Sequence, residues 1–153
     1  MGRGSQKRTA PLISAPTFWE WSLAFYRRDG VERALIELQD RHALSVNMLL
    51  WCLWSAAHFD APQEIFIRKA AAISSDWSAQ VTDKLREARR ALKSPPARAD
   101  AAAVNTLRDE IKAAELAAEE IEQEMLQAFA AENLHALGAA EGAASRARKT
   151  MAQ

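Results

Sequence analysis

Between Val104 and Ala128 the apolar residues fall at Val104, Leu107, Ile111, Ala114, Ala118, Ile121, Met125 and Ala128. The steps alternate three and four, which is the heptad rhythm of a packed helix. A strand repeats every two residues and presents no such pattern. Neither Gly nor Pro interrupts the stretch from Ala101 to Leu137. The spacing therefore predicts one helix from about residue 101 to 135, about 50 Å long at 1.5 Å per residue. A helix of that length, with an apolar seam, needs something to lie against.

The rest of the composition agrees with a helical chain. Of 153 residues, 33 are Ala, the strongest helix former, and only 5 are Gly and 5 Pro. So few turn residues exclude a turn-rich all-β fold. Hydrophobic residues make up 49%, which excludes wholesale disorder. The length suits one domain, or one domain with an appendage. The expected fold class is all-α, a compact N-terminal helical module followed by a long antiparallel helical hairpin.

Residues 1–16 carry Arg3, Lys7 and Arg8 with little apolar periodicity and read as a flexible basic tail. Residues 17–76 form the module. Thr17-Phe18-Trp19-Glu20 is a capping box that opens the first helix, and Asp29-Gly30 closes it. Val31, Ala34, Leu35 and Leu38 make the inner stripe of the second helix. Ser45 caps a third, apolar all round from Val46 to Ala57, which marks a central helix. Asp60-Ala61-Pro62 starts a fourth, and Ser74-Ser75-Asp76 bends or breaks it. Residues 77–136 form the hairpin, turning at Ser94-Pro95-Pro96. Residues 137–153 read as a flexible C-terminal tail.

Charge supports the hairpin. Residues 83–98 carry a net +4 and residues 100–135 a net −7. A short connection makes the two helices antiparallel neighbours, with opposite charges flanking the seam. The whole chain is neutral, with 20 basic and 20 acidic residues, which argues against a nucleic-acid partner. The most apolar segment is too short for the roughly 20 residues of a membrane span, and no signal-peptide pattern precedes it. The lone Cys52 forbids an internal disulfide. A cytoplasmic location is expected.

Three strings are familiar together: Phe18-Trp19-x-x-Ser22-x-x-x-Tyr26, Leu38-Gln39-Asp40, and Val46-Asn47-x-Leu49-Leu50-Trp51-Cys52-Leu53-Trp54. With Trp77 and Leu85-Arg86-x-x-Arg89-Arg90-x-Leu92-Lys93, they resemble an uncharacterised family of small helical proteobacterial proteins, a domain of unknown function, over roughly residues 17–130. The resemblance implies a bacterial, helical, non-secreted protein. It brings no reaction and no catalytic residues.

Three surfaces are candidates for function. Asn47 at the front of the apolar third helix, with Gln39, Asp40 and His42 just before it, could form a polar pocket at the helix 2–3 corner, rimmed by Tyr26 and the tryptophans. The simpler alternative is that Asn47 and Asp40 bond backbone groups at that corner. Glu119, Glu120 and Glu122 on the acidic helix, with Trp19 as an aromatic anchor, could hold a protein partner or a second copy of the chain. The alternative for the tryptophans is a plain aromatic core. Arg86, Arg89 and Arg90 could grip phosphate groups of RNA or the ribosome, or be paired inside the molecule. His42, His58, His135 and Cys52 share no ligand spacing, so no metal or other cofactor is expected. No nucleophile elbow, phosphate loop or carboxylate pair is present. The leading expectation is a non-enzymatic interaction or adaptor protein using the acidic helix. A small-molecule or enzymatic pocket and an RNA-associated factor are the alternatives.

Overall fold

The computed structural model describes residues 16–135. The expected tails, 1–16 and 137–153, lie outside the described residues apart from Pro16. Among the described residues the fold is all-α: α1 (Phe18–Tyr26), α2 (Val31–His42), α3 (Val46–His58), α4 (Glu64–Trp77), α5 (Asp83–Ala91) and α6 (Ala101–Asn133). One turn of π-helix, Ser78–Thr82, joins α4 to α5 without a break. The run at Ser74-Ser75-Asp76 is therefore continuous helix; the irregularity falls four residues later, as a widened turn. The fourth helix starts at Glu64, after Pro62.

Local signals work as the residue chemistry requires. The Thr17 hydroxyl accepts from the Glu20 amide at 3.1 Å, and the Glu20 carboxylate accepts from the Thr17 amide at 3.1 Å. Ser45 and Asp100 cap α3 and α6 by accepting from Met48 and Ala103. The corner between α2 and α3 is less comfortable. Ala43 takes the left-handed conformation, φ 52°, which glycine normally fills.

The long helix α6 is the spine. It touches α1, α3, α4, the π turn and α5. The core joins Phe18 of α1, Leu35 of α2, Leu50, Trp51 and Trp54 of α3, and Ala70 of α4 to Leu126 and Ala130 of α6. The N-terminal helices thus pack on one another and, through α1, α3 and α4, close around the end of α6. Trp21 is partly buried against the same cluster and stacks on Phe25 at 4.8 Å. Two indoles fasten the spine: Trp51 Nε1 donates to the Leu126 carbonyl and Trp77 Nε1 to the Ala118 carbonyl, both at 2.9 Å. Each backbone carbonyl has a second lone pair free for such a bond.

The buried stripe of α6 is not the seam read from the sequence. Leu107 is 46% exposed and Ile121 43%, and Ala114 and Ala128 are exposed too. The face turned inward runs through Arg108, Ile111, Glu115, Ala118, Glu122 and Leu126 to Ala130. It has much the same three-and-four rhythm, rotated by about one residue. Glu115 and Glu122 occupy it because the facing helices supply their partners, and a hydrophobicity pattern does not register them.

Candidate functional site

Two glutamates on the inward face of α6 meet two different answers. Glu115 lies opposite α5, where Arg89 Nε donates to its Oε1 at 2.5 Å and Arg89 Nη2 approaches its Oε2 at 3.3 Å. This bidentate pair is the strong form of Arg–carboxylate contact. The bond to Glu115 holds the Arg89 guanidinium above its ordinary pKa. Glu122 lies two turns further on, 4% exposed, where Asn47 Nδ2 donates to it at 3.0 Å and Ser74 Oγ at 2.5 Å. Asn47 is held in turn by Gln123, whose Nε2 donates to Asn47 Oδ1 at 2.9 Å. Asn47 thus bonds across the fold to α6, and the local backbone reading does not describe it.

This network is the floor of an open groove of about 1260 Å³. α1 contributes one face, Trp19, Ser22, Leu23 and Tyr26, at the spacing that aligns side chains along a helix. Gln39 and Asp40 come from the end of α2, followed by Ala43 and Asn47. α4 and the π turn give a wall of small residues, Ala71, Ser74, Ser75, Ser78 and Ala79. Leu116, Glu119, Glu122 and Gln123 come from α6, and Arg86 from α5. Single π turns in helices recur at functional sites, because the extra residue re-aims the side chains around it.

All four candidate pocket residues, Tyr26, Gln39, Asp40 and Asn47, line this groove. Gln39 and Asp40 are exposed at its rim, while Tyr26 is half-buried. Burial, with Glu32 and Glu119 nearby, pushes the Tyr26 hydroxyl above its ordinary pKa. Trp19 is half-buried and lines the same groove.

The acidic trio does not make one surface. Glu122 is buried in the floor, Glu119 lines the groove beside Arg86, and Glu120 alone is exposed away from it. Three residues so close in sequence cannot share one face of a helix, since each step turns the side chain by about 100°. Burial raises the Glu119 carboxyl above its usual range, although Arg86 donates to it at 3.2 Å and pulls the other way.

The arginine trio is divided in the same manner. Arg86 and Arg89 turn inward to Glu119 and Glu115, and Arg90 is exposed. Cys52 lines the groove half-buried, and burial pushes its thiol up, away from the reactive thiolate.

Sequence reading missed Ser22, Ser74 and Gln123. Ser22 and Gln123 are each 3% exposed, and Ser22 Oγ and Gln123 Oε1 have no hydrogen-bond partner. The available signal was Glu115 and Glu122, seven residues apart, in phase with Ala118 and Leu126 on the face that packs.

Fold and groove together define an all-α protein with a polar-floored cleft between its short helices and one long spine. A family model described as "Protein of unknown function (DUF2390)" matches residues 17–126, and the chain belongs to that family. Neither the curated proteins nor the solved structures gave a match. Among the described residues no helix is long and apolar enough to cross a membrane.

Proposed function

We propose that this chain is a small-molecule-binding protein of the bacterial cytoplasm, and that the groove over Asn47, Glu122 and Gln123 is its binding site. One observation carries the reading. A hydrogen-bonded polar network, with buried unpaired atoms on Ser22 and Gln123, lies under an open groove where an apolar core would cost less. Leaving a buried polar atom unpaired costs about 1–3 kcal/mol, so such atoms call for a reason. The groove's volume is somewhat above the roughly 300–1,000 Å³ of ordinary ligand sites, which leaves room for a ligand and water. Binding, and not catalysis, is proposed because the hydroxyl–carboxylate pair that lines the groove, Ser74 and Glu122, is buried and already shared with Asn47.

The test uses the full chain and a groove-filling variant, Ser75→Trp, since Ser75 lines the groove and is exposed. Both are incubated with a metabolite extract and examined by native mass spectrometry. Saturable retention of a small molecule by the parent, lost in Ser75→Trp, is the expected result. Equal retention by both, or none by either, contradicts the reading.

A second reading is favoured by the outward stripe of α6. Leu107, Ala114, Ile121 and Ala128 repeat every seven residues and are exposed. This is the coiled-coil-like surface of an adaptor, turned to solvent. Leu107→Asp with Ile121→Asp should leave the melting temperature nearly unchanged. Under this reading the double variant loses a protein partner or a second copy, read as a fall in mass by light scattering; unchanged mass in every sample that contains a partner opposes it.

A further inference from the structure

The groove's charges do not balance. Arg27 and Arg86 face it against Asp40, Asp83, Glu119 and Glu122. Arg86 is already engaged by Glu119 at 3.2 Å, Asp83 at 3.5 Å and Glu115 at 4.0 Å. Glu122 is engaged by Asn47 and Ser74. Glu119 has only Oε1 in contact with Arg86, and Oε2 carries no hydrogen bond or ion pair among the described residues. Gln123 uses its amide nitrogen on Asn47, so its unpaired end is the carbonyl oxygen, an acceptor. Glu119 and Gln123 are four residues apart on α6, which sets their side chains one above the other. Ser22, on the facing wall, adds an unpaired hydroxyl.

The uncommitted atoms are therefore mostly acceptors, and the net charge around them is negative. An ammonium group offers three donors and no acceptor, the converse of this set. Trp19 and Tyr26, half-buried in the groove wall, supply aromatic rings of the kind that attract a cation, and Leu23 and Leu116, 40% and 54% exposed, offer apolar surface to a hydrocarbon. Resting on the ligand-binding reading above, we infer that the groove binds a protonated primary amine with an apolar or aromatic body, its ammonium seated on the Glu119 carboxylate, with the buried Gln123 carbonyl adding to the negative potential behind it. A carboxylate ligand would meet Glu119 with no uncommitted buried cation to offset it. A neutral alcohol would forgo the charge-assisted bond. The raised carboxyl of Glu119 fits the same picture, since a cation beside it would draw the proton off.

The experiment is titration calorimetry of the full chain at neutral pH with phenethylammonium, the matched 2-phenylethanol and 3-phenylpropionate, and two further amines, tryptamine and octylamine. Saturable binding of one or more amines is expected, with the alcohol and the carboxylate at least about tenfold weaker, the loss of one charge-assisted bond. Glu119→Gln, checked for an intact melting transition, should weaken the amine by a similar factor. Equal binding of the alcohol or the carboxylate would overturn the cation inference while leaving a ligand-binding groove in place. Undiminished amine binding by Glu119→Gln would overturn the proposed seat. Failure of all three amines at millimolar concentration would overturn the inference outright, whereas the groove itself stands or falls with the Ser75→Trp comparison.

Discussion

Asn47 and Glu122 are 75 residues apart in sequence and are joined side chain to side chain, Nδ2 to Oε2, at 3.0 Å. The bond ties the first turn of α3 to the middle of α6, and Ser74 brings α4 to the same carboxylate. Three helices thus share one buried acid. Removing either end leaves a polar group buried without its partner, which costs more than the bond itself contributes.

Glu122→Ala should accordingly destabilise the fold by about 1–3 kcal/mol, and Asn47→Ala by a similar amount. The double variant should lose less than the sum, with a coupling of about 0.5–3 kcal/mol for groups in direct contact. Urea denaturation of the four proteins measures it. Strict additivity would mean that the two side chains do not meet in solution.

Trp54 is 4% exposed and packs against the fully buried Phe18, ring centroids 5.2 Å apart and planes tilted by 31°. Trp54→Ala should cost roughly 3–5 kcal/mol through lost burial and the cavity left behind. An unmoved denaturation midpoint would remove Trp54 from the core. Trp51→Phe should cost less, about 1–3 kcal/mol, since the indole bond to the Leu126 carbonyl is lost and the smaller ring leaves part of a fully buried site empty.

The helices, their caps and the aromatic core were legible because each rests on local chemistry: the Thr17 capping box, Ser45, and the apolar run through Trp54. The phase of α6 was not. Its hydrophobic pattern selects Leu107 and Ile121, yet those face solvent and Glu115 and Glu122 face inward. A buried carboxylate is favourable only when a partner waits across the interface, and Arg89, Ser74 and Asn47 come from elsewhere in the chain. Pairing of that kind is absent from a one-helix pattern. Gln39, Asp40 and Asn47 lie close together in sequence, whereas Ser22, Tyr26 and Gln123 join them in the same groove only through the fold.

Glu119 predicts a pH dependence. Its carboxyl is raised, chiefly by burial, above the ordinary 4.5. Such a group keeps its proton to higher pH folded than unfolded, so the fold loses stability as pH climbs from the ordinary glutamate value to the raised one. Glu119→Gln removes that titration. The melting temperature of Glu119→Gln relative to the parent should therefore rise across this window and level off above it. A difference that does not change with pH would mean that Glu119 titrates normally.

Ala43 holds a left-handed backbone at φ 52° without glycine's freedom. Ala43→Gly relieves roughly 1–2 kcal/mol of local strain and gives back about 0.4–1 kcal/mol in unfolded-state entropy. A small net stabilisation is expected in thermal melts. Clear destabilisation would place Ala43 outside the left-handed region.

The binding groove is tested most directly by nuclear magnetic resonance of the ¹⁵N-labelled full chain during titration with phenethylammonium. Trp19 lines the groove, whereas Trp51 is fully buried with its indole bonded to Leu126. The Trp19 indole and the side-chain amides of Asn47 and Gln123 should shift progressively and saturate together, while the Trp51 indole stays in place. Shifts confined to residues outside the groove, or an unchanged spectrum at millimolar amine, would contradict the groove as a ligand site for such molecules.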